Sequence, residues 1–353
     1  MKLSINLDIQ SYDILIEKSI SNNLSEHLMY FNEGQKFILC FSSNLITYVP
    51  NILSDLKSND FDIDQLEIKD GEEFKSMNYI QGLAQSLMDL NCKRDTVLIA
   101  LGGGTVGDII GFLSSIFMRG IRYINIPTTL LSMVDSSIGG KTGVNHNNIK
   151  NLLGTFHHPE LVCIDPNFLT TLNERQIYSG LGEVIKYGLI DNKEILDFLV
   201  KNYNCIIQLK DFDLISELIY NSCMVKKKFI EKDVYDNGYR NNLNFGHTLG
   251  HIIESKFQSE NITHGESILN GMYLSLKLSY FKKVISNKDY NIILDFFNQL
   301  KIKNKFKLNT SDLAKIKFDK KSKNHKIRFI LLKNIGIPIM SDDITIKDIV
   351  QII

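Results

Sequence analysis

The sequence predicts two domains: an α/β domain with a parallel sheet over residues 1–172, and an all-α domain over residues 173–353. Three observations carry this reading. Before residue 173, short apolar runs of strand length alternate with segments of helical period, the pattern of a doubly wound sheet. One of those runs passes directly into a glycine-rich turn and then a helix. After residue 173 the apolar period is helical almost to the end.

Taken in order, residues 3–9 place Leu3, Ile5, Leu7 and Ile9 at alternate positions, which predicts a strand and not a cleavable leader. Further strands are expected at 12–16, 37–41, 97–101 and 123–127, with a helix over 77–90. The second half divides into helices at 174–190, 193–204, 212–231, 246–257, 265–282 and 288–299, followed by a short strand at 327–332. Between the last two, the Lys-rich segment 315–326 predicts an exposed loop. A chain of 353 residues with 44% hydrophobic content has ample side-chain volume for a core in each domain.

Composition excludes several classes of function. Forty Lys and Arg balance forty Asp and Glu, so no overall field draws the chain to nucleic acid or to an anionic membrane, and any anion must be met by a local cluster. No apolar stretch approaches the roughly 20 residues of a membrane span. The cysteines, Cys40, Cys92, Cys163, Cys205 and Cys223, are odd in number and mostly embedded in apolar runs. They are read as buried reduced thiols, which points to a reducing, cytoplasmic location.

The run Thr96-Val97-Leu98-Ile99-Ala100-Leu101 leads into Gly102-Gly103-Gly104-Thr105-Val106-Gly107-Asp108 and an amphipathic helix over 109–117. Glycines at 102, 104 and 107 let the backbone turn tightly and approach a pyrophosphate, and the helix N-terminus offers unpaired N–H groups with a partial positive charge. The placement suits a dinucleotide, with two departures from the usual fingerprint. The turn comes near residue 100, and no acidic residue ends the following strand.

Histidine is scarce, yet three of the eight fall at His247, His251 and His264. His247 and His251 are four apart, on one face of a helix. Position 248 is Thr, so the H-E-x-x-H metalloprotease motif is absent. Upstream, Glu183 and Lys186 lie one helical turn apart in an apolar stretch. Two imidazoles and that carboxylate would give a catalytic metal with open positions for substrate oxygens. Spacing alone leaves open which two histidines bind.

Further segments complete an ordered set: Asp70-Gly71-Glu72-Glu73-Phe74-Lys75-Ser76, Met118-Arg119-Gly120, Pro127-Thr128-Thr129-Leu130-Leu131, Val134-Asp135-Ser136-Ser137-Ile138-Gly139-Gly140-Lys141-Thr142 and Lys150-Asn151-Leu152. With Ser179-Gly180-Leu181-Gly182-Glu183-Val184-Ile185-Lys186, residues 243–251 and His264-Gly265-Glu266, the chain resembles the dehydroquinate synthase family of sugar-phosphate cyclases over almost its whole length.

The resemblance implies Glu183, His247 and His264 as ligands of one divalent metal, zinc or cobalt, with His251 facing substrate and relaying protons. It implies NAD held by Asp70, Gly71, Glu72, Glu73, Phe74 and Lys75, by Gly104, Thr105, Val106, Gly107 and Asp108, and by Thr128, Thr129, Lys141, Lys150, Phe168, Leu169, Thr170 and Thr171. At the strand end Phe41-Ser42-Ser43-Asn44 the family often carries an Asp, where Ser42 stands here. The implied substrate, 3-deoxy-D-arabino-heptulosonate 7-phosphate, would meet Asp135, Lys141, Asn151, Lys186, Lys226, Arg240, Asn244, His251 and Lys320. Arg119 would reach in from a second subunit, which makes a homodimer the minimum assembly. The implied reaction is NAD-mediated oxidation, β-elimination of phosphate, reduction and intramolecular aldol closure to 3-dehydroquinate, a step of aromatic amino acid biosynthesis. Two rivals share these features: a cyclase acting on another sugar phosphate, and a polyol dehydrogenase that would accumulate NADH.

Overall fold

The computed structural model describes residues 1–8, 10–147, 149–300, 306–313 and 327–353. The chain forms two compact units, one of Met1–Leu172 with Ile215–Lys227 and one of Asn173–Leu214 with Lys228–Ile353.

The strands of the first unit are β1 (Lys2–Ile5), β2 (Tyr12–Ile16), β3 (Phe37–Ser42), β4 (Ile63–Ile68), β5 (Val97–Gly102), β6 (Arg122–Pro127), β7 (Lys141–His146), β8 (Ile149–Phe156) and β9 (Leu161–Ile164). Seven of them form one sheet in the order β1-β2-β9-β6-β5-β3-β4. Every pairing is parallel except that of β1 with β2. All residues of β3 and β5 are buried, which is why they read as unbroken apolar runs: a parallel strand covered on both faces has no polar side to alternate. Strands β7 and β8 pair as a separate antiparallel hairpin.

The helices of this unit are α1 (Leu24–Leu28), α2 (Val49–Ser58), α3 (Met77–Asp89) and α4 (Gly104–Ile116). Ser76 caps α3 by accepting from the Tyr79 N–H at 3.3 Å. Ile80, Leu83 and Leu87 of α3 share one core with Val106, Ile109, Ile110 and Leu113 of α4 and with Ile38, Cys40, Leu98 and Ala100 of the sheet. Strand β3 has β4 on one side and β5 on the other. The chain therefore reverses its progress across the sheet between β3 and β5, and open α/β sheets bind ligands beyond the strand ends at such a point. Ser42 and Gly102 are the residues that end these two strands.

The second unit holds α5 (Glu174–Ile190), α6 (Lys193–Ile207), the ends of α7 (Phe212–Lys232), α8 (His247–Lys256), α9 (His264–Phe281), α10 (Asn287–Gln299), β10 (Ile327–Asn334), β11 (Ile337–Ile344) and α11 (Ile346–Val350). Capping boxes start two of them, Asn173 with Gln176 at α5 and Thr263 with Glu266 at α9. From Ser179 to Ile190 every residue of α5 is buried, so this helix is core on all sides. The all-α expectation needs one correction. Strands β10 and β11 form an antiparallel ribbon, and Phe329, Leu331 and Ile344 pack it against Leu249, Ile253, Leu274 and Leu278 of α8 and α9. The single strand expected at 327–332 is thus half of a pair. The predicted loop at 315–326 lies outside the described residues. The five cysteines are free, four of them buried, and none of the described helices is long and apolar enough to cross a membrane.

Candidate active site and metal centre

The most concentrated chemistry in the second unit gathers where α5, α8 and α9 cross. Glycines make the crossing close. A Cβ on Gly182 would lie 2.9 Å from the Gly265 Cα, and one on Gly271 would lie 2.0 Å from the Gly246 carbonyl oxygen. With no side chains between them, the backbones of α5 and α9, and of the α8 start and α9, approach within contact. Glu183, His247 and His264 then face a common point.

His247 Nε2 lies 3.5 Å and His264 Nε2 3.4 Å from the same Glu183 carboxylate oxygen. Ligand atoms about 2.0–2.2 Å from a tetrahedral metal stand roughly 3.3–3.6 Å apart, so this donor set fits one divalent ion. The tautomer of His247 also fits: its Nδ1 lies 3.3 Å from the Phe245 carbonyl oxygen, and a proton there leaves Nε2 free to ligate. Spacing had left the pair of histidines open, and the geometry brings His247 and His264 together on Glu183. A second grouping is His251, Glu254 and His264, in which Glu254 lies 3.5 Å from the other nitrogen of the His264 ring, Nδ1.

Electrostatics separates the two rings. Burial, followed by the Lys186 ammonium, pushes the His247 imidazole down to about 3. Burial acts against charge on His264 as well, but hydrogen bonds to Glu183 and Glu254 outweigh it and push that ring up to about 9. Glu183 is wholly buried and forms an ion pair with Lys186, itself 2% exposed. Such a pair is costly to bury and is tolerated where further charges converge on it.

Of the remaining predicted residues of this unit, His251 lies on α8, and Arg240 and Asn244 in the segment just before it. His251 is exposed, its ring centroid 5.3 Å from that of His247. Arg240 is buried, with its guanidinium donating to the Val234 carbonyl at 2.8 Å and its backbone N–H to Asp233 at 3.0 Å. Asn244 ends a 3-10 segment, Tyr239–Asn244, three residues before His247. Lys320 lies outside the described residues.

In the first unit, Lys226 donates to the Asp135 carboxylate at 2.6 Å and also to its carbonyl. A second network centres on buried Lys75, which donates to Asp108 at 2.7 Å and to the Asn151 side chain at 2.6 Å. Burial raises the Asp108 carboxyl and the Lys75 ammonium opposes it. Asn145, which the sequence reading missed, binds Glu72 at 2.8 Å and accepts from the Asn151 N–H at 2.8 Å. The segment of Asp70, Gly71, Glu72, Glu73, Phe74 and Lys75, the start of α4 and the β7–β8 hairpin are thereby joined. Lys141 and Lys150 are exposed on that hairpin.

The glycine turn opens α4. A Cβ on Gly102 would lie 2.6 Å from the Val106 side chain, and one on Gly104 would lie 2.8 Å from the Ser136 hydroxyl. Gly103 occupies the N-cap and its carbonyl already accepts the Gly107 N–H at 3.1 Å, so the first-turn N–H groups of Gly104, Thr105 and Val106 are those offered to an anion. Those features fit a dinucleotide pyrophosphate. Ser42 at the end of β3 donates to the Asp70 carboxylate at 3.1 Å, so a carboxylate stands at that strand end although residue 42 is not acidic. Thr128 is buried and Thr129 half-buried after β6, while Phe168 and Leu169 are buried and Thr170 and Thr171 exposed.

Comparison with known proteins bears on these residues. The family model described as 3-dehydroquinate synthase N-terminal matches residues 65–179, and the one described as 3-dehydroquinate synthase C-terminal matches residues 180–322. The chain belongs to the 3-dehydroquinate synthase family. That makes it an enzyme, a carbon–oxygen lyase acting on phosphate. The 3-dehydroquinate synthase of Clostridium tetani is 43% identical over 301 residues, 85% of this chain and 80% of the relative. That of Prochlorococcus marinus MIT 9312 is 39% identical over 350 residues, 97% of this chain and 96% of the relative. Among solved structures, the 2-epi-5-epi-valiolone synthase of Streptomyces hygroscopicus, with NAD+ and Zn2+ bound, superposes with a TM-score of 0.86 at 24% identity, covering 98% of this chain and 96% of that one. A 2-deoxy-scyllo-inosose synthase complexed with carbaglucose-6-phosphate, NAD+ and Co2+ superposes with a TM-score of 0.85 at 23% identity, covering 97% and 95%. At these identities the likeness is one of fold.

Proposed function

We propose that the chain converts 3-deoxy-D-arabino-heptulosonate 7-phosphate to 3-dehydroquinate and phosphate by oxidation, β-elimination, reduction and aldol closure, using NAD and one divalent metal, zinc or cobalt. The observation that carries this reading is the convergence of His247 Nε2 and His264 Nε2 on one Glu183 oxygen, beside the Lys186 ammonium. The glycine turn of α4 gives the same chain a dinucleotide site. The family's name and the cofactors named for the two cyclase structures support it.

When bound, the metal supplies Lewis-acid polarisation of a substrate hydroxyl and NAD supplies a reversible hydride acceptor. The chain's own residues place charge and protons. Lys186, held on Glu183, offers an ammonium beside the metal ligands. His251 is the exposed imidazole of α8 and the group proposed to relay protons. In the first unit, Asp135, Lys141, Asn151 and Lys226 are proposed to meet the substrate's hydroxyls and anionic groups. In the second, Arg240 and Asn244 join Lys186 and His251 in that role. Lys320 is proposed with them on the resemblance alone. No side chain is assigned as the base that starts elimination, since the departing phosphate of the substrate can take that proton.

Arg119 is proposed to act in a partner subunit, so the working assembly is a homodimer. The exposed apolar side chains Ile116, Met118 and Phe156 beside it support a contact between copies.

The deciding experiment supplies enzyme and NAD at equal concentration with a large excess of the heptulosonate phosphate, and follows phosphate and NADH absorbance together. Sustained phosphate release with flat absorbance is expected, because the hydride is returned each turnover. NADH that accumulates to the amount of NAD supplied, with no phosphate released beyond that amount, would instead identify a dehydrogenase.

A further inference from the structure

His264 has a carboxylate on each side. Its Nε2 lies 3.4 Å from Glu183 and its Nδ1 3.5 Å from Glu254 Oε2. Both carboxylates could be counted as ligands, since Glu183, His247 and His264 form one group able to hold an ion, and His251, Glu254 and His264 form another. One imidazole cannot serve the two groups alike, because a ring that ligates through one nitrogen carries its proton on the other. The first group is the one on which two Nε2 atoms converge, and its carboxylate is wholly buried while His251 is exposed. This leaves Glu254 facing the protonated nitrogen.

We infer that Glu254 is a positioning residue: it accepts the Nδ1 proton of His264 and so fixes the ring with its Nε2 lone pair toward the point shared with Glu183 and His247. The inference rests on the metal reading above. Glu254 lies seven residues after His247, two turns along the same face of α8. His264 belongs to another helix, at the capped first turn of α9. Glu254 therefore ties the ring of one ligand to the helix that carries the other. The two ligand histidines have different outer partners, a backbone carbonyl for His247 and a carboxylate for His264. A carboxylate makes its imidazole the more basic ligand, and loss of such a partner typically weakens metal binding about 10- to 100-fold.

The test titrates metal-free full-length protein with Co2+ and reads the visible d–d spectrum, with circular dichroism as the check of folding. Wild type should take one equivalent and Glu183→Ala should take none. Glu254→Ala should still take one equivalent, about 10- to 100-fold more weakly and with a shifted spectrum. Glu254→Gln, whose amide oxygen can still accept the Nδ1 proton, should recover part of the affinity. If Glu254→Ala does not fold, Glu254→Gln decides alone: weaker binding with a shifted band supports the inference, and wild-type affinity with an unshifted band overturns it. Wild-type binding and spectrum in both variants overturns it, and so does a Glu254→Ala that binds as little cobalt as Glu183→Ala, which would make Glu254 a direct ligand. A wild type that takes up no cobalt overturns the metal reading itself, and the inference with it.

Discussion

Gly265 stands so close to Ser179 that a Cβ on the glycine would lie 1.9 Å from the Ser179 carbonyl oxygen. The contact is bonded as well as close, since the Gly265 N–H donates to the Ser179 hydroxyl at 3.1 Å. It fixes the start of α9, and so His264, against the helix that carries Glu183. The obstacle is backbone and cannot rotate aside, so Gly265→Ala is expected to cost at least about 3 kcal/mol, the upper end for overpacked interiors. Chemical denaturation should show that loss, and the residual folded protein should bind Co2+ more weakly than wild type.

Removing any one of three ligands leaves a two-ligand site, so Glu183→Ala, His247→Ala and His264→Ala should each purify without metal. His251→Ala should keep it, because the ring lies on the same face of α8 but is exposed and outside the convergence on Glu183. Stoichiometric metal in any of the first three, measured by elemental analysis, would overturn the ligand assignment.

Glu266 couples the same helix start to pH. Burial favours its neutral form, but hydrogen bonds from Arg175 and from the Thr263 backbone and hydroxyl outweigh this and hold its carboxyl below the ordinary value of 4.5. The unfolded chain therefore takes up the proton first as pH falls. The stabilisation is complete above the unfolded value and is lost as pH drops through the lower folded one. Glu266→Gln keeps an acceptor for the cap but cannot titrate. Its stability should fall less steeply than that of wild type between about pH 5 and about pH 3 when followed by urea denaturation.

How much of this was legible in the sequence follows from burial. Strands β3 and β5 were readable because parallel strands covered on both faces are almost wholly apolar, and β6 was readable from its apolar residues despite buried Asn125. Strand β4 was not, since Ile63-Asp64-Gln65-Leu66-Glu67-Ile68 is an edge strand with polar residues at half its positions. The four-residue β9 is too short to show a period. The β7–β8 hairpin carries exposed polar residues along much of its length, and its register comes from pairing that periodicity does not encode. At the site, helical spacing put His247 and His251 on one face, but the partner of each ligand depends on how three helices cross. Glu254 continues that face at the next turn, a signal that was available. Its role appears only once Gly182 and Gly265 bring α9 within reach. Asn145 has no comparable sequence signal, because its partner Glu72 lies 73 residues away, and Asn151, six residues on, meets it only through the pairing of β7 with β8.

Three successive residues, Met118, Arg119 and Gly120, have φ of +48°, +69° and +116°. For the two with side chains this left-handed backbone costs roughly 1–2 kcal/mol each, and strain of this kind persists where the surrounding structure or a function requires it. Here it projects an exposed arginine at the end of α4. The Thr155 hydroxyl donates to Ser115 at 2.8 Å, so the strand bearing Phe156 lies along that same helix end. Ile116, Met118 and Phe156 are each about two-fifths exposed, an apolar rim suited to a second copy of the chain. If Arg119 completes the partner's site, Arg119→Ala and Lys186→Ala should each be inactive alone, because every site lacks one group. In a mixed dimer the two lesions fall together in one site and leave the other wholly native. Random exchange makes about half the dimers mixed, each with one good site of two, so activity should recover to about a quarter of wild type. Exchange is followed independently by mass spectrometry of differently tagged subunits. No recovery when mixed dimers are present in that amount would place Arg119 in its own subunit's site.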